Sequence, residues 1–167
     1  MKFGLRFNLV TNLADHFQAH PSDQRVVRFG RIAFENVRVL LDNLLRNYEL
    51  YSAANAEGAD LFSDISARNF SDAFGDSSHL RVAFYSDVPP LFRPSFKFTR
   101  LDTPSFDAEL TFDLCDFPDP PPVKALLVSL QEFTTILRSE DYAIYYEISD
   151  EWRAGDFSAT TLIYRSQ

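Results

Sequence analysis

The sequence predicts an α+β fold: a two-layer domain with a mainly antiparallel β-sheet of about six strands, carrying a long N-terminal helix and a second helix (about 122–138) on one face. Three observations lead there. Two stretches repeat apolar residues every three to four positions, and six others alternate with period two. The order β-α-(α)-βββ-α-ββ also lacks the strict strand–helix alternation that parallel sheets require.

Residues 3–9 open the chain as a half-buried strand, with Phe3, Leu5, Phe7 and Leu9 on one face and Gly4, Arg6 and Asn8 on the other. Ser22 is a good N-cap and Asp23 suits the positive end of a helix dipole, so the spacing predicts a helix from there to about Tyr51. Its apolar stripe is Val26, Phe29, Ala33, Val37, Leu40, Leu41, Leu44, Tyr48 and Tyr51. The opposite face carries five arginines between Arg25 and Arg46. Arg31/Glu35 and Asp42/Arg46 are spaced as i,i+4 ion pairs, and Arg38 reaches both Glu35 and Asp42, so this face is expected to be solvated and self-neutralised.

Between Ala53 and Ser78 the pattern weakens. Leu61, Phe62, Ile65, Phe70 and Phe74 suggest one or two short helices bounded by Gly58 and Gly75. Strands follow at Leu80–Phe84, Phe96–Leu101 and Ser105–Leu114, the last two joined by "LDTPS" as a hairpin. The "SDVPPLFRP" link cannot be a central strand, because proline has no N–H to donate.

The stretch "DLCDFPDPPPV" (113–123) lies where the apolar period changes from two to 3.6. Val123, Leu126, Leu127, Leu130, Phe133, Ile136 and Leu137 form the second helical stripe, and proline suits a first helical turn. The expectation is a stiff acidic corner in which Asp116 or Asp119 caps the helix. Two strands, Tyr142–Ser149 and Phe157–Arg165, close the chain around "DEWRAGD".

At 167 residues and 46% hydrophobic content, one domain spanning 1–167 is expected, burying about 70% of its extended-chain surface. The single cysteine, Cys115, suits a reducing compartment, and no signal-like start or run of about 18 apolar residues occurs. A cytoplasmic protein without membrane association is expected. The net charge is −8, and it is uneven: residues 1–55 carry seven basic and five acidic side chains, residues 56–120 five and twelve. Such a chain repels phosphate backbones, which argues against nucleic acid and for a basic protein partner.

Signatures of chemistry are sparse. There is no G-x-S-x-G, no phosphate-cradling loop and no dinucleotide fingerprint. His16 and His20 stand i,i+4 but make only half a zinc site before Pro21, so no metal is expected. Asp107, Glu109 and Asp113 share a strand face with Thr111 between them, and neighbours two apart lie about 7 Å from each other, a spacing two-carboxylate hydrolases can use. An open sheet face gives no dry cleft to raise one pKa, and Lys97 across the hairpin can neutralise Glu109, so catalytic residues and cofactors are expected to be none.

What remains is a surface. Asp113, Asp116, Phe117 and Asp119 in the acidic corner, and Asp150, Glu151, Trp152, Arg153 and Asp156 in the last turn, combine carboxylates with large apolar groups. Aromatic anchors ringed by steering charge are what a protein interface needs. The leading expectation is therefore a small acidic non-enzymatic inhibitor that occludes a basic target, as a toxin immunity protein or a nucleic-acid mimic would. A structural or adaptor module is the alternative, and an enzyme whose site is invisible in one sequence the third.

Overall fold

The computed structural model describes residues 13–17, 24–102, 104–146 and 162–166. The alternating segment 3–9 and the Ser22–Asp23 start signal lie outside them. A helical turn at 13–17 buries Leu13 and Phe17.

The expected long helix from Ser22 to Tyr51 is replaced by three elements: β1 (Gln24–Ala33), α1 (Phe34–Asn47) and β2 (Glu49–Asn55). The reason is tertiary. β1 lies between two antiparallel neighbours, so two hydrogen-bonded ladders override a helical pattern, and Val26, Val27 and Ile32 suit a pleated surface. A register shift between Phe29 and Ile32, with Arg31 at φ 48, returns Ile32 to the buried side. Val27, Phe29 and Ile32 are all buried, and the shift makes their spacing resemble a helical stripe. Left-handed Arg31 also forbids a continuous helix through this point. Ala33, extended at ψ 146, then enters α1, whose Val37, Leu40, Leu41 and Leu44 are fully buried.

The short helices appear as α2 (Phe62–Ser66) and α3 (Phe70–Phe74), and Gly75 ends α3 at φ 40. Next come β3 (His79–Tyr85), β4 (Ser95–Asp102) and β5 (Ser105–Asp113). A 3-10 turn (Leu114–Asp116), α4 (Val123–Leu137), β6 (Tyr142–Tyr146) and β7 (Leu162–Arg165) complete the order. Among the described residues the sheet has seven strands rather than about six, in the order β2-β3-β4-β5-β1-β6-β7, every pair antiparallel.

Alternation gives each central strand one buried face: Leu80, Val82 and Phe84 on β3, Phe96 and Phe98 on β4, Phe106 to Phe112 at every second residue on β5. The helical layer covers that face. Phe133 of α4 meets Phe96 edge-on at 5.4 Å, Phe34 of α1 meets Phe106 at 5.8 Å, and Tyr48 meets Phe84 at 6.3 Å. Leu114 and Leu130 are buried as expected, Leu127 is half-buried, and Phe3 and Leu5 lie outside the described residues.

The five arginines do not share one solvated helix face. Arg25 points to the core side of β1 and is fully buried, its Nε donating to the His16 carbonyl at 2.8 Å and a terminal nitrogen to the Gln24 carbonyl at 2.7 Å. Arg38 pairs with Glu35 at 3.2 Å, but Asp42 pairs with Arg68 at 2.9 Å. Arg31 sits at the β1 bulge rather than one helical turn before Glu35.

Candidate interaction surface

The face of the sheet turned away from the helices carries Asp107, Glu109, Thr111 and Asp113 of β5, all half-buried. Lys97 stands opposite Glu109 in the β4–β5 register, as the hairpin requires. Arg28 of β1 stands opposite Glu109 from the other side. A terminal nitrogen of Arg28 lies 3.3 Å from Asp107 Oδ2, and its Nε lies 3.5 Å from Glu109 Oε1. One guanidinium thus spans both carboxylates. Asp107 Oδ1 also accepts the Arg31 N–H at 3.3 Å, fixing the β1 bulge. These acids hold strands together, which is different work from that of a carboxylate pair poised around a substrate.

The acidic corner is bound into the fold in a similar way. Asp113 accepts the Cys115 N–H at 3.0 Å and so caps the 3-10 turn. Asp116 forms a two-pronged pair with Arg93 from the β3–β4 link, at 3.0 Å through Nε and 2.7 Å through a terminal nitrogen. That hydrogen bond, and then the Asp116 charge, hold the Arg93 guanidinium above its ordinary pKa. Phe117 is half-buried and stacks on Phe112 at 5.5 Å, with Phe17 at 6.4 Å, so its ring plugs the end of the core.

Helix capping differs from the expectation. The position before α4 is Pro122, with no side-chain cap, and Leu126 N–H donates to the Pro122 carbonyl at 3.0 Å. Asp116 is committed to Arg93, and Asp119, before a cis peptide bond to Pro120, stays exposed. The Pro120–Pro122 run pre-sets the backbone, so the turn enters α4 without a capping carboxylate.

Asp119 is therefore the one freely solvated carboxylate among the four corner residues Asp113, Asp116, Phe117 and Asp119. Asp150, Glu151, Trp152, Arg153 and Asp156 lie outside the described residues. So does His20, while His16 is half-buried in the 13–17 turn. Among the described residues, no group of three His, Cys, Asp or Glu gathers to hold a metal, and no helix is long and apolar enough to cross a membrane. Cys115 is exposed.

Arg93 had no place in the expected surface. Its signal was a lone cation in a proline-rich link, close in size and sign to what an acidic corner needs, but only the fold brings residues 93 and 116 together.

A seven-stranded antiparallel sheet with a helical layer on one face defines the architecture. No family model matches the sequence, and no curated protein is found to match it. Among solved structures, the fold is similar to a chain of the crystal structure of the toxic C-terminal tip of CdiA from Pseudomonas aeruginosa in complex with its immune protein. The two chains superpose with a TM-score of 0.56 at 14% identity, over 86% of this chain and 94% of that one. At that identity the likeness is one of fold.

Proposed function

We propose that this chain is a small, non-enzymatic, cytoplasmic inhibitor that occludes a more basic protein, in the manner of an immunity protein that neutralises a toxin. The observation that carries the reading is the fold shared, over nearly the whole length of both chains, with a member of a toxin–immune protein complex. The charge of −8 chooses the inhibitor side of such a pair, because an acidic surface attracts a basic target at a distance. The arginine-neutralised sheet carboxylates fit a protein that binds and does no chemistry.

In this reading the segment 150–156 supplies the anchor, Trp152, together with Asp150, Glu151, Arg153 and Asp156. Asp119 steers from the corner, where Asp113, Asp116 and Phe117 are framework. The test is to capture the partner from the native cell and express it in a host with and without this chain. A partner that arrests growth alone, and only alone, supports the proposal. A harmless or acidic partner overturns it. On the captured pair, Trp152→Ala should weaken affinity by about 2 kcal/mol or more, mainly through faster dissociation.

A further inference from the structure

Among the described residues β2 is an edge strand, with β3 on one side only, and its two halves differ. Over Ala53–Asn55 the outer edge is closed by the chain itself. Leu61 N–H donates to the Ala53 carbonyl at 2.9 Å, Asn55 N–H donates to the Ala59 carbonyl at 3.3 Å, and Ala54 bridges Asp60. Over Glu49–Ser52 a bulge intervenes: Leu50 pairs with Phe84 and Ser52 with Ala83, leaving Tyr51 as the extra residue. Tyr51 is 76% exposed, the most exposed large hydrophobic among the described residues.

Its neighbours are of the same kind. Tyr85 stands opposite Glu49 in the ladder and is 45% exposed, and Val88, three residues on, is 68% exposed. Tyr51 lies two residues along β2 from Glu49, about 7 Å on a strand. The Tyr85 hydroxyl donates to Asp87 Oδ1 at 2.7 Å, which sets that carboxylate at the ring's polar end, while Glu49 is its partner across the ladder. Arg93, the nearby cation, is committed to Asp116. The strip therefore presents two aromatic faces beside two exposed carboxylates and adjoins the acidic corner through Arg93.

Exposed tyrosines flanked by acids match one side chain better than any other. A guanidinium stacks on an aromatic face while its planar fork pairs with a carboxylate; an ammonium has no plane to stack and is more strongly hydrated. Strand addition is opposed by the bulge and by the loop that closes the far half of the edge. We propose that Tyr51 and Tyr85, with Glu49 and Asp87, form a docking strip for an arginine-bearing, extended segment of the basic protein partner. The inference rests on the reading of a basic target and names the side chains that target presents.

The experiment titrates the intact, isotope-labelled protein with three nonapeptides in which glycine alternates with arginine, lysine or glutamate, followed by backbone amide spectra. Saturable shifts should centre on residues 49–52 and 85–88. The arginine peptide should bind about threefold tighter than the lysine peptide, in line with a stacking preference at exposed sites, and the glutamate peptide should not bind. Tyr51→Ser with Tyr85→Ser should lose at least about threefold in affinity for the arginine peptide, the same stacking contribution removed. Glu49→Gln with Asp87→Asn, which keeps both rings, serves as the second variant should the first unfold, and it should also weaken binding. Shifts centred on the acidic segment 57–76, equal affinity for lysine, or undiminished affinity in both variants would overturn the strip. So would a concentration-dependent dimer abolished by the tyrosine variant, which would assign the strip to a second copy. None of these outcomes needs a toxin, so the inhibitor reading can fail while the strip survives, and a captured toxin that ignores the strip overturns the strip alone.

Discussion

Two sets of carboxylates on this molecule live in different surroundings. Asp107, Glu109 and Asp116 are half-buried and each faces an arginine, while Asp113 is half-buried and caps a turn. Glu49, Asp87 and Asp119 are exposed at the free end of β2 and on the corner. The first set has already met its cations inside the fold; the second still offers its field to something outside. The count of twenty-four acidic residues therefore overstates what a partner encounters, and the acidity that matters for recognition is the part left over after internal pairing. Mutations in the two sets should separate cleanly: the first should change stability, the second association.

The largest effect belongs to the core beneath both sets and fixes the scale. Leu44→Ala empties a fully buried site in α1 and should cost about 2–5 kcal/mol in chemical denaturation. An unchanged midpoint would mean that the helical layer does not press on the sheet as described.

Arg28→Ala comes next. It removes the cation that Asp107 and Glu109 share, leaving them the Arg31 N–H and Lys97, and should cost about 1–3 kcal/mol, as lost hydrogen bonds to charged groups do. If the variant is as stable as the parent at neutral pH, the internal set is not internal in energy, and the contrast breaks.

A paired comparison at the corner is smaller and sharper. Asp116→Lys destroys the Arg93 pair and should cost up to about 1 kcal/mol, the usual range for a surface pair. Asp119→Lys should leave stability within about 0.5 kcal/mol. Against a captured basic partner, Asp119→Lys should slow association and flatten its salt dependence, which stopped-flow mixing at two ionic strengths reads directly. Equal effects of the two substitutions on both quantities would erase the distinction.

The smallest effect concerns His79, on the open sheet face. Burial, then the charges of Lys97 and Arg81, hold its pKa below the ordinary 6.5. Folding thus favours the neutral ring: the contribution to stability is complete above about pH 6.5 and is lost as pH falls through the lower folded value. His79→Gln should flatten the decline in stability between pH 7 and 5. A steeper decline in the variant would reverse the sign.

How much of this was legible in the sequence differs from element to element. The stripe from Val123 to Leu137 and the stretch Gln24–Ala33 both carry apolar spacings of three and four, yet one is α4 and the other β1. α4 has three prolines at its entry and only two β-branched apolar residues before Ser129, and its register is local. β1 owes its state to residues 105–113 and 142–146, which no local window contains, and its bulge disguises the period of two. The antiparallel meander of β3, β4 and β5 was readable because a short hairpin and clean alternation fix it locally. The acidic corner was readable as a corner. Its internal pairing was not, since Asp116 meets a residue 23 positions away. The β2 edge was hidden altogether, because a helix extended to Tyr51 turned an exposed tyrosine into an imagined core residue.

The place of β1 in the sheet order has a consequence for how the chain is made. Translation delivers Gln24–Ala33 before its two ladder partners, β5 and β6, which leave the ribosome more than seventy and more than a hundred residues later. At ordinary elongation rates the middle strand waits on the order of ten seconds for its neighbours. Until then β1 cannot be flanked on both sides. Closure of the central sheet waits for Tyr142–Tyr146, and a nascent chain stalled before Tyr142 would hold its central strand open on one side, available to whatever edge it met first.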